Sequence, residues 1–107
     1  MSDFVKSTAG AAGAKACLTN GLTLITGGTG IADMTLAAPG PGHRAVIRIV
    51  SITPGTVVVT TPAGVTLDGT NNTATFNAVD DTLILVENDA KNWAIELNAG
   101  AVVLSTV

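Results

Sequence analysis

The chain has 107 residues, of which 47% are apolar, 12% charged and 3% aromatic, and its net charge is −3. That length makes one domain, and so much apolar content with so little charge excludes a disordered chain. Five Lys and Arg against 8 Asp and Glu leave no basic patch for nucleic acid, and the one cysteine, Cys17, has no partner for a disulfide framework.

Residues 1–20 read as an extended N-terminal arm. The run Ala9, Gly10, Ala11, Ala12, Gly13, Ala14 lies between Lys6 and Lys15. Its two glycines each disfavour helix by about 1 kcal/mol relative to Ala. Residues 1–6 lack the basic and apolar regions of a signal peptide, and no later stretch approaches the roughly 20 apolar residues of a spanning helix. No membrane partner is expected.

From Gly21 onward the pattern is β. Residues 22–26 predict a short strand, 31–36 a weaker one and 44–52 the longest. Residues 53–56 carry Pro54 and Gly55 at the centre of a type II turn, which predicts a hairpin from 44–52 into 57–61. Pro62, Ala63 and Gly64 turn the chain again before a strand at 65–67. Asp68, Gly69, Thr70, Asn71 and Asn72 form the next turn, leading into a strand at 73–76. Residues 82–86 and 93–97 flank a polar tip at 88–92, and 102–106 form the last strand.

About eight short strands with a turn every eight to twelve residues predict an all-β fold, a β-sandwich or jelly roll of antiparallel strands over residues 21–107. The strand faces say more than the count. Ala45, Ile47 and Ile49 share one face of 44–52, and Val46, Val50 and Ile52 share the other with Arg44 and Arg48. A sandwich with a wet exterior alternates apolar and polar residues. These strands are apolar on both sides, so the second side is expected to meet another subunit. Mean hydropathy is +0.50. A monomer of this mass exposes about 5,500 Å², or one charged group per roughly 420 Å². Soluble surfaces usually place charge on about 25–35% of their residues.

No constellation carries catalytic chemistry. Residues 26–33 follow a strand and repeat Gly27 and Gly30, like the phosphate loop of a dinucleotide fold, but Asp33 stands where a third glycine belongs. Pro39 and Pro41 stop any following helix. His43 is the only histidine, without the Cys/His cluster of a metal site or the partners of an acid–base pair. Asp80, Asp81 and the 68–72 turn lack the alternating ligands of a calcium loop. Asn71, Asn72 and Thr73 form a formal glycosylation acceptor. Trp93 is expected to cap the core at the start of its strand. No enzyme activity, cofactor or metal is expected.

Residues 29–39, 55–64 and 81–97, the last with Asn92, Trp93, Ala94 and Ile95 after a polar tip, resemble small virion proteins of tailed bacteriophages. The similarity is to capsid decoration proteins, head fibres and β-rich tail-fibre modules, and it spans residues 22–107. The resemblance implies a β-sandwich or jelly-roll subunit, commonly trimeric, on the outer capsid surface of the virion. Its partners would be other copies of itself and the major capsid protein. Phe4, Val5 and Lys6 in the arm, with Arg44 and Arg48 on a strand face, are the candidate capsid-binding residues. The alternative is a receptor- or carbohydrate-binding module of a tail fibre or spike, for which aromatic platforms are scarce.

Overall fold

The computed structural model describes residues 5–9, 16–26, 33–51, 56–89, 92–100 and 102–106. Its strands are β1 (Val5–Ala9), β2 (Gly21–Thr26), β3 (Asp33–Thr35), β4 (Arg44–Ser51), β5 (Val57–Thr60), β6 (Thr73–Phe76), β7 (Thr82–Asp89), β8 (Asn92–Ala99) and β9 (Val103–Ser105). They form a five-stranded sheet of order β1-β2-β4-β7-β8 and a four-stranded sheet of order β3-β5-β6-β9. The fold is all-β and consistent with a β-sandwich, as the strand pattern predicts.

Alternation dictates which side each strand buries. Along β4, Ala45, Ile47 and Ile49 are fully buried, while Val46 is half-buried and Arg48 and Val50 are exposed. Thr23 and Ile25 of β2 and Leu83 and Leu85 of β7 complete the inner side of the five-stranded sheet. Met34, Val57, Val59, Ala74 and Phe76 complete the inner side of the other, and both sets join one core cluster. Trp93 is completely buried and its indole N–H donates to the Ala37 carbonyl at 3.2 Å, so it closes the core at the start of β8.

The sheets are mixed, where a purely antiparallel arrangement was expected. β1 runs parallel to β2 and β2 parallel to β4. In the second sheet Ala16 bridges Thr35 in parallel, and β3 runs parallel to β5. From β1 to β5 the chain therefore winds alternately through the two sheets, each strand lying beside its counterpart one winding later. Only from β6 onward are all pairings antiparallel.

This winding overturns the hairpin expected between 44–52 and 57–61. β4 pairs with β2 and β7, whereas β5 belongs to the other sheet and pairs with β3 and β6. All of the turn predicted at 53–56 except Thr56 lies outside the described residues, as do 27–32 of the glycine loop at 26–33 and the 10–15 stretch of the arm. Residues 5–9, assigned to the extended arm, are extended and add β1 to the sheet in register Val5↔Gly21 to Ala9↔Ile25. The strand expected at 65–67 is a loop. Val65 N–H bonds to Pro62 O and Leu67 N–H to Asn71 O, while both side chains enter the core.

Candidate functional site

The side of the five-stranded sheet that faces away from the core carries an apolar row. In strand register, Leu22 of β2 lies beside Val46 of β4, Val46 beside Ile84 of β7, and Ile84 beside Leu97 of β8. Leu22, Val46 and Ile84 are half-buried by their neighbours, and Leu97 is 46% exposed. Leu24, Val86 and Ala94 extend the apolar area on either side. Fully burying a Leu is worth about 1.5–3 kcal/mol, so Leu97 alone retains on the order of 1 kcal/mol to gain from a covering surface.

Two ion pairs frame the row. Arg44 and Arg48 lie on either side of Val46 along β4. Arg44 Nε donates to Glu96 Oε1 at 3.0 Å, and its Nη2 to Glu96 Oε2 at 3.3 Å. Arg48 Nη2 donates to Asp80 Oδ1 at 2.7 Å. The hydrogen bond from Arg44 holds the Glu96 carboxyl below its ordinary range, and the same bond raises the Arg44 guanidinium. A bulge makes the first pair possible. Register passes from Ile84↔Leu97 to Leu85↔Ile95, leaving Glu96 as the extra residue on β8.

Of the five candidate residues, Phe4 lies outside the described residues. Val5 and Lys6 open β1, and Lys6 stands opposite Leu22, at the end of the apolar row. Arg44 and Arg48 lie on the same side of β4 as Val46, the residue that shares a register row with Leu22. Both arginines already hold acidic partners from the same chain. Neither partner was legible in the sequence, because Asp80 is 32 residues and Glu96 52 residues away from its arginine.

The outer side of the four-stranded sheet is different in kind. Thr35, Thr60, Thr73 and Ser105 lie in one register row, and Asp33, Val58, Thr75 and Val103 in the next, so hydroxyls outnumber the two valines. Thr73 Oγ1 bonds to the Ser105 hydroxyl and donates to the Ser105 carbonyl. A shallow cavity of about 270 Å³ opens at the ends of β3 and β5, lined by Thr35, Leu36, Ala37, Thr60, Thr61 and Pro62. Its lining carries three threonine hydroxyls and no side chain that could serve as a general acid or base.

The remaining polar residues have structural work. Asp81 is buried, and its Oδ2 accepts from the N–H groups of Asn77 and Ala78. Asp80 adopts a positive φ of 73° and its N–H bonds to Ile49 O, which aims its carboxylate at Arg48. Asp68 closes its own turn by accepting from Thr70 N, Asn71 N and Asn71 Nδ2. His43 Nδ1 accepts from Gly40 N–H at 3.1 Å, fixing the turn into β4. Cys17 is buried in the core, and burial pushes its thiol up to about 12. Among the described residues no three His, Cys, Asp or Glu come together as a metal site, and no helix is long and apolar enough to cross a membrane.

No protein-family model, curated protein or solved structure matches the chain.

Proposed function

We propose that this protein is a structural subunit of a tailed-bacteriophage virion that binds the outer capsid surface as a homo-oligomer, a trimer by its resemblance, and stabilises the shell. The observation that carries the reading is the row Leu22, Val46, Ile84, Leu97, which leaves one broad side of the sandwich apolar where a solitary sandwich would be wetted. The sparse charge of the chain and the texture of residues 22–107 support the same reading. Contact with the major capsid protein falls to the N-terminal segment carrying Phe4, Val5 and Lys6. Arg44 and Arg48 are less suited to acidic capsid patches than their charge alone suggests, because Glu96 and Asp80 already hold them. Bridging neighbouring capsomers adds binding free energy that the bare shell lacks and resists internal pressure.

The test is reconstitution. Capsids stripped of the protein are mixed with the purified chain and sedimented. Saturable co-sedimentation at a fixed number of copies per shell is expected, and Lys6→Glu weakens it. Absence of binding to capsids, with binding to host cells or glycans instead, would contradict the proposal.

A further inference from the structure

We infer that the outer side of the five-stranded sheet packs against a second copy of this chain, an inference that rests on the assembly reading above and names the partner of that surface. Charge is the first argument. Among the described side chains, Arg44 and Arg48 are balanced on this side by Glu96 and Asp80, each pair closed within the protomer. An acidic partner would need free cations here, and a basic one free acids. A second copy needs neither, and charges already matched within each protomer do not make two copies repel one another despite the net charge of −3.

Extent is the second argument. Five strands about 4.8 Å apart, the longest of eight residues, span roughly 24 by 26 Å. A standard interface removes about 800 Å² from each partner, and this sheet side supplies most of that without help from loops. The arrangement is the third. The apolar row crosses the sheet from β2 to the edge strand β8, and the Arg44–Glu96 and Arg48–Asp80 pairs flank it along the central strand β4, so the row is bordered by charges that are already matched. Pleated rows of this kind interdigitate when sheets stack about 10 Å apart. The opposite sheet side interrupts its apolar residues, Val58 and Val103, with Asp33, Thr35, Thr60, Thr75 and Ser105, so it has no continuous apolar row across its strands. Arg44 and Arg48, held by Glu96 and Asp80, then lie within the contact as paired charges.

Native mass spectrometry and sedimentation velocity at micromolar concentration test this with three variants. Leu97→Glu places a charge in the row and is expected to give monomers with an unchanged far-ultraviolet circular dichroism spectrum. Leu97→Ala, milder at a half-exposed position, raises the dissociation constant about tenfold or more. Val103→Glu, 54% exposed on the opposite sheet, leaves assembly as in the wild type. If Leu97→Glu does not fold, Leu97→Ala decides. A monomeric wild type overturns both this inference and the oligomeric part of the assembly reading. An oligomeric wild type whose Leu97 variants assemble equally well overturns this inference alone, as does dissociation caused by Val103→Glu and not by Leu97→Glu.

Discussion

Gly100 stands directly against Asp81: a β-carbon at Gly100 would overlap Oδ1 of Asp81 and approach its Cα to 3.1 Å. Gly100 also has a φ of 94°, which L side chains rarely adopt. Asp81 cannot retreat, because its Oδ2 holds the N–H groups of Asn77 and Ala78 and its backbone carbonyl accepts from Ile49. Gly100→Ala therefore strains the turn after β8 and the loop before β7 together. Denaturant titration is expected to show a loss of about 2–4 kcal/mol. Asp81→Ala, which leaves two N–H groups without their acceptor, costs about 1–3 kcal/mol. A wild-type midpoint for Gly100→Ala would contradict this geometry.

Trp93 is the sole tryptophan and is completely buried, so its fluorescence reports the core directly. The emission is expected to be blue-shifted and resistant to iodide quenching until the protein unfolds. Trp93→Phe keeps most of the packing and loses the bond to the Ala37 carbonyl, at a cost of about 0.5–1.5 kcal/mol, whereas Trp93→Ala costs about 3–5 kcal/mol. Ready quenching of the native protein would show that the indole is not enclosed.

Much of the fold is legible in local alternation. The two sides of β4 follow from Ala45, Ile47 and Ile49 against Val46 and Val50, and β6 and the β7–β8 hairpin fall where period-two runs and turn residues put them. Which strands become neighbours is not local. Whether β5 pairs with β4 or crosses to β3 depends on burying Val57 and Val59 opposite Met34 and Ala74, residues far apart in sequence. Pro54 and Gly55 signal a change of direction without saying into which sheet. The candidate surface divides in the same way. Arg44 and Arg48 beside Val46 follow from alternation within one strand, but Glu96 reaches Arg44 only through a bulge set by the pairing of β7 with β8.

Cys17 tests the core from a chemical direction. Its thiol, pushed up to about 12 by burial, is protonated and shielded in the folded protein. A thiol reagent at neutral pH is expected to leave it unmodified until denaturant is added. The folded value lies above the ordinary 9.0, so this contribution to stability is complete below pH 9 and is lost as pH rises toward 12. Cys17→Ala should flatten the alkaline decline. Rapid native labelling would contradict the burial.

The acid limb depends on two carboxylates. For Asp68, burial works to raise the value, but the bonds donated by Asn71 and Thr70 outweigh it and hold the group below its usual 3.8. Glu96 is held below 4.5 by its bond from Arg44. Depressed carboxylates stabilise the folded state above their unfolded values, and the contribution is lost as pH falls through the folded ones. Thermal midpoints should therefore hold from neutrality to about pH 5 and fall below about pH 4. Asp68→Asn should make that fall shallower. An equally steep fall in the variant would remove Asp68 from the account.

The central claim is that this chain lives as one of many copies on a virion, and a quantitative mass-spectrometric inventory of purified particles tests it most directly. The account predicts the protein in mature particles at tens to hundreds of copies per shell, in a whole-number ratio to the major capsid protein. Its absence from particles, in a preparation where infected cells contain it in abundance, would contradict the claim.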